Sequence, residues 1–221
     1  MPRESKKAKQ ERSILACKRI AKLYPQAASS LDFKNPFQCV IAVSLSAQTT
    51  DAAVNKVTKN LFKRWPTPQK LAAANPQEVQ ETIKTIGFFR TKAQHAIEAS
   101  QMIVADFGGE VPQTMEELQK LPGVGRKTAN IVLNVCFNKI QGIAVDTHVN
   151  RIAHRLHLVP SAVKNANDTE KRLLELLPQN LWKDVNSQWI LFGRQFCSAQ
   201  SPSCFECPLA DICPSNKKFC S

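Results

Sequence analysis

The chain is predicted to be all-α. Apolar residues recur at helical spacing along almost all of its 221 residues. Capping residues and prolines mark where successive helices begin and end. No stretch alternates apolar and polar residues as a half-buried strand would. A bundle-like helical architecture follows.

The elements can be justified in order. Residues 13–24 put Ile14, Cys17, Ala21 and Tyr24 on one stripe, and Pro25 stops that helix. Asn35 and Pro36 have the N-cap and first-turn identities of a second helix. Its body, "FQCVIAVSL", is apolar nearly all round, so it should be buried. The polar run "SAQTTD" interrupts it, as an ordinary loop or as the lip of a site. A third helix fits about 51–65, ended by Pro66 and Pro68. Further helices fit 76–85, 90–106, 114–120, 126–137, 146–156, 167–177 and 183–193. "TIKTIGFFRTKAQHAI" and "ELQKLPGVGRKTANIV" share an order of apolar residues, glycine, turn, lysine and apolar helix. That echo points to two helix–hairpin–helix units.

Apolar content is ordinary, so the chain can bury a sizeable core without covalent staples. The net charge of +12 predicts attraction to a polyanion, with nucleic acid the leading candidate. The excess is concentrated at the start, where Arg3, Lys6, Lys7, Lys9, Arg12, Lys18, Arg19 and Lys22 face only Glu4 and Glu11. No stretch is apolar enough to span a bilayer, and the N-terminus has no apolar signal-peptide core. The expectation is a cytoplasmic monomer with no membrane partner.

"LPGVGRKTA", residues 121–129, is the most informative hairpin. Thr114 and Glu117 have capping-box spacing and start a short helix before it. Pro122 and Gly123 end that helix, and Gly125 allows a tight turn into the next. Two glycines let the backbone approach a ligand, since neither has a Cβ. A helix beginning there aims unsatisfied N–H groups and its positive dipole end outward, which suits a phosphate. A plain turn between helices uses glycine too. Arg126, Lys127 and the basic chain favour the phosphate. Lys127, in the first turn, is either one more phosphate contact or an amine nucleophile able to form a Schiff base with a C1′ sugar carbon. Such chemistry also needs an acid. Asp146 in "GIAVDTHVNRIAHRL" is a candidate, and as it precedes a helix it can also be an N-cap.

Cys197, Cys204, Cys207 and Cys213 form a C-x6-C-x2-C-x5-C run. Thiolates are the soft ligands of iron–sulfur clusters and zinc. Disulfides fit poorly with a cytoplasmic chain. Structural zinc sites usually use two C-x2-C knuckles, and only Cys204–Cys207 makes one. The wider spacings suit a bulkier cluster, which puts iron–sulfur ahead without deciding it. Cys17, Cys39 and Cys136 lie in apolar stretches and are expected to be small buried hydrophobes. Cys220 is not counted as a ligand.

Together, "LSAQTTD", "LPGVGRKTAN", "AVDTHVNR" and the four-cysteine run, in this order, resemble the endonuclease III family of DNA glycosylases over about residues 14–215. The resemblance implies a helix–hairpin–helix fold of two helical domains with a DNA-binding groove between them. A helical-barrel domain would span 29–140, and a discontinuous cluster domain 1–28 and 141–221. It implies a [4Fe–4S] cluster on Cys197, Cys204, Cys207 and Cys213, a Schiff-base lysine at Lys127 and a catalytic aspartate at Asp146. It implies that Gln48 fills the gap left by a flipped nucleotide. Gly123, Gly125, Arg126 and His148 are further expected DNA contacts. Phe88 falls where a wedge enters the opposite strand; the family usually has an aliphatic residue there, and Phe89 is a rival. The family's loop between the first two cluster cysteines is typically basic, whereas "SAQSPS" here carries no charge. Arg194, Lys217 or the basic N-terminus are candidates to compensate. The implied activity is removal of oxidised pyrimidines from duplex DNA, with strand cleavage at abasic sites. The alternatives are a monofunctional adenine-type glycosylase and a non-catalytic DNA-binding module. Lys127 and the lysine–acid pair argue against them.

Overall fold

A computed structural model describes residues 4–219, so Arg3 and Cys220 lie outside the described residues. The described residues contain helices and no strand. In order, the helices are α1 Lys6–Leu23, α2 Pro36–Leu45, α3 Asp51–Arg64, α4 Pro68–Ala72, α5 Pro76–Ile83 and α6 Phe89–Phe107. They continue with α7 Met115–Leu118, α8 Arg126–Phe137, α9 Thr147–Arg155, α10 Ala166–Leu176, α11 Gln179–Gln195 and α12 Asn216–Phe219. The chain divides into two compact units, one of residues 30–141 and one joining 1–29 to 142–221.

The first unit is built around α2. Eight of its residues, including Val40, Ile41 and Leu45, are buried, as an all-round apolar helix requires. Asn35 caps it through the Gln38 amide at 2.9 Å, and Pro36 sits in the first turn. α2 packs on α8, and α4 and α5 pack on α6. Their shared core includes Leu61, Ile83, Ile103, Leu118 and Leu133. Cys39 is fully buried there, whereas Cys136 is only half-buried. The neighbouring Cys136 thiol, with burial, raises the Cys39 pKa, and Cys39 in turn lowers that of Cys136. Cys136 packs against the core but is less buried than expected.

The second unit has its own core, with Ile20, Val149, Ile152, Leu173, Trp189 and Phe192 nearly inaccessible. Full burial of side chains of this size contributes about 1.5–3 kcal/mol each. Two arginines tie α1 to the distant C-terminal half. Arg12 donates to the Leu156 carbonyl at 2.6 Å, and Arg19 donates to Pro208 O at 3.0 Å and to Asp211 Oδ2 at 2.9 Å. These two charges serve packing as well as net charge. Cys17 behaves as a small apolar residue, its pKa pushed up to about 12 by burial.

Several features differ from expectation. α1 begins at Lys6 rather than at 13, because Ser5 caps it through the Ala8 amide at 3.1 Å. A lysine-rich first turn has no apolar period to reveal it. α4 lies where the prolines signal only the end of the preceding helix, yet Thr67 caps it and Pro68 opens it. The internal echo is a likeness of sequence more than of backbone. In the first turn a non-glycine residue, Phe88, takes the left-handed conformation with φ 56°. In the second it is Gly123.

Candidate functional site

The hairpin between α7 and α8 forms for local reasons. Thr114 accepts from the Glu117 amide at 3.2 Å, and the two side chains bond at 2.7 Å. Leu121 and Val124 are buried and anchor the turn. Gly123 has φ 77°, and a Cβ there would lie 3.2 Å from the His95 side chain of α6. Conformation and space both demand glycine. Gly125 is different. Its φ of −86° suits any residue, and a Cβ would meet nothing within 4 Å. It does not supply the turn expected of it. It is the N-cap of α8 and offers no capping side chain, so the first-turn N–H groups are not consumed by one. Arg126 and Lys127 occupy that first turn, both half-buried.

Two other loops of this unit hold exposed side chains on strained backbone. Between α2 and α3, Gln48 is exposed with φ 52°. At the start of α6, Phe88 is the N-cap with φ 56° and is 67% exposed. Left-handed backbone costs a non-glycine residue roughly 1–2 kcal/mol. Phe89 packs against the core, with the Arg90 guanidinium 5.5 Å from its ring centre. Of the two phenylalanines, Phe88 is therefore the one with its ring open to solvent.

The unit joining 1–29 to 142–221 carries the remaining candidates. Asp146 caps α9, its Oδ1 accepting from the Val149 amide at 2.8 Å, and it is half-buried. His148 Nδ1 lies 3.1 Å from an Arg151 nitrogen. A Cβ on Gly193 of α11 would come within 2.8 Å of the same Nδ1, so glycine allows α9 and α11 to approach closely. Arg151 also donates to the Cys197 carbonyl at 2.9 Å.

Cys197, Cys204, Cys207 and Cys213 line one pocket, walled by Ile152, Phe192, Phe196 and Leu209. No cysteine among the described residues is in a disulfide. Among the described residues, no three His, Cys, Asp or Glu side chains form a group able to hold a metal ion. The four thiols instead border a shared space of about 400 Å³, part of it open to solvent. Burial raises the Cys213 pKa, with nearby Cys197 adding to the effect. Arg155 organises the rim. It donates to Cys197 Sγ at 3.3 Å, to Ser198 O at 2.6 Å and to Ala199 O at 2.8 Å, while Phe219 stacks on its guanidinium at 4.6 Å.

Sequence reasoning missed Arg155 and Lys92. Nothing in the sequence pairs Arg155 with a loop that begins 42 residues further on. Lys92 had a signal: it falls on the apolar stripe of α6, beside Ala93 and Ala96.

In an all-helical chain, a glycine hairpin opening onto a lysine-bearing helix makes a helix–hairpin–helix unit suited to a DNA phosphate. The chain belongs to the HhH-GPD superfamily of base excision DNA repair proteins, whose model matches residues 41–179. It is 46% identical to endonuclease III of Bacillus subtilis over 200 residues, 90% of each chain. It is 39% identical to endonuclease III of Escherichia coli K12 over 200 residues, 90% of this chain and 93% of that one. Among solved structures it is similar to a trapped endonuclease III–DNA covalent intermediate, with TM-score 0.91 and 42% identity, covering 96% of this chain and 99% of that one. A thermostable thymine-DNA glycosylase shares the fold at 23% identity, with TM-score 0.84 over 96% of this chain and 99% of that one. No helix of the described residues is long and apolar enough to cross a membrane.

Proposed function

We infer that this chain is a bifunctional DNA glycosylase and abasic-site lyase of base excision repair, acting on oxidised pyrimidines in duplex DNA. The observation that carries the reading is Lys127, a half-buried amine in the first turn of a helix with a glycine N-cap, in a chain 46% identical to an endonuclease III. The glycine-capped start of α8 binds a DNA phosphate through its amides, with Arg126 adding charge. The damaged nucleotide is turned out of the stack. Gln48 fills the space it leaves, and Phe88 enters against the opposite strand. His148 is a further contact to the DNA backbone.

The Lys127 amine then attacks C1′. The bond from C1′ to the base breaks, and the base leaves with the bonding electrons and takes a proton. The amine loses a proton as the sugar ring opens to an imine on Lys127. Loss of a proton from C2′ expels the 3′ phosphate and nicks the strand, and water returns the amine. Asp146 serves these proton transfers and stabilises developing positive charge. Its cap bond uses one carboxylate oxygen and leaves the other for that work.

The four cysteines fit a [4Fe–4S] cluster, since a cluster takes one thiolate per iron and asks them to surround a body. Apolar walls and the Arg155 hydrogen bond to Cys197 suit such a group. When bound, such a cluster would contribute mainly structurally, pinning the loop after α11. A reducing compartment such as the cytoplasm would keep these thiols free for a cluster.

Borohydride trapping on an abasic duplex tests the assignment. The protein should form a covalent adduct, and Lys127→Gln should bind the duplex and form none. Near-normal adduct with Lys127→Gln would move the chemistry to another amine. Binding without adduct by the unaltered protein would point to the monofunctional or purely DNA-binding alternatives.

A further inference from the structure

Lys92 is the charged side chain most at odds with its surroundings. It lies on the buried stripe of α6, with Ala93, Ala96 and Ile97, and is only 8% exposed. A buried ammonium persists where it is hydrogen-bonded, and this one donates to the Thr49 hydroxyl at 2.7 Å. Burial lowers its pKa, so the charge is held at a cost.

The bond joins the loop between α2 and α3 to the first turn of α6, two segments of residues 30–141 that are distant in sequence. Thr49 follows Gln48, and its hydroxyl also donates to the Ala47 carbonyl at 3.3 Å. Its amide donates to Ser46 O at 3.1 Å. Thr49 thus brackets Gln48 in its left-handed turn. At its other end, the Lys92 amide donates to the Phe88 carbonyl at 3.0 Å, the first helical bond of α6. One residue therefore holds the strained start of α6 with its backbone and the Gln48 turn with its side chain. One turn further along, His95 abuts Gly123 of the hairpin.

We propose that Lys92 is a positioning residue that locks the Gln48 turn to the Phe88 helix start, so that the two side chains meet DNA in a fixed relative geometry. This rests on the assignment of Gln48 and Phe88 as the residues that fill and wedge the duplex. Both carry strained backbone, and strain persists only where the surroundings over-determine it. Without the lock, each loop can relax separately. Opening a paired duplex should then slow more than chemistry on a nucleotide already unpaired.

The test compares single-turnover base release from thymine glycol in a fully paired duplex with release from the same lesion in a mismatched bubble. Lys92→Met should lower the paired-to-bubble rate ratio by about tenfold, the scale of one charged hydrogen bond. Thr49→Val should do the same, and Thr49→Ser, which keeps the hydroxyl, should restore it. The double variant Lys92→Met/Thr49→Val should be no worse than either single one, because both remove one interaction. Equal slowing on both substrates with a lower melting temperature would make Lys92 a packing residue and overturn the proposal, as would additive effects. Gln48→Ala and Phe88→Ala separate the two levels. If neither changes the ratio, their assignment fails and the lock falls with it. If they change it and Lys92→Met does not, the lock alone is wrong.

Discussion

Asp146 Oδ1 accepts the Val149 amide at 2.8 Å, so the carboxylate assigned to proton transfer is also the N-cap of α9. The two roles separate by chemistry. Asn caps a helix about as well as Asp but cannot carry a proton. Asp146→Asn should therefore fold with a melting temperature close to that of the unaltered protein. Its single-turnover base release should fall by about 100-fold or more, the usual scale of general acid–base catalysis. Asp146→Ala should lose the cap as well, at about 1 kcal/mol of stability. Full activity per folded molecule with a large drop in melting temperature would leave Asp146 as a cap only.

The hairpin glycines should differ sharply, although the sequence presents them as a pair. Gly123→Ala forces a Cβ into left-handed backbone 3.2 Å from His95. That should cost roughly 1–2 kcal/mol or more in chemical denaturation. Gly125→Ala meets neither obstacle, so stability should hold. Its new methyl group stands at the start of α8, where a phosphate would approach, so duplex affinity should fall. Equal destabilisation by both substitutions would contradict the backbone described for this turn.

That contrast shows what the sequence can and cannot disclose. The helices with apolar stripes and proline stops were legible, as α2 and α3 demonstrate. So was the hairpin, because glycine, proline and capping residues act locally. The first turn of α1 was not, since a run of lysines has no period. α4 was missed because Pro68 opens a helix as readily as it ends one. At the site, the Lys127 position in the first turn of α8 could be read directly. The exposure of Phe88 against the partial burial of Phe89 could not, because one residue's step round a helix start decides it. Arg155 and Lys92 act across long sequence separations, and only packing reveals those partners.

The four-cysteine pocket should hold iron. Protein purified without air should be yellow-brown and carry about four iron atoms per chain, as four thiolates commonly do in this cluster type. Cys204→Ala should lower iron content and loosen the loop after α11, seen as faster proteolysis within 198–213. Cys220→Ser should leave iron content unaltered. Colourless protein with stoichiometric zinc would overturn the assignment.

Salt dependence should map the phosphate contacts. α1 is helical from Lys6, with Lys6 and Lys7 exposed and Lys9 half-buried. Arg12 and Arg19 also bond within the protein, to Glu4, Leu156, Pro208 and Asp211, so the lysines are the better test of the N-terminal charge. Removing one lysine–phosphate pairing should flatten the slope of log K against log salt by about 0.9. Replacing Lys6, Lys7 and Lys9 together with Gln should therefore flatten the slope for duplex DNA. Neutral polar exchanges within 198–203 should leave it alone, because that loop is uncharged and its start is held by Arg155 through Ser198 and Ala199. An unaltered slope for the triple variant would assign the phosphate neutralisation to the start of α8, and Arg126→Gln should then produce the flattening instead.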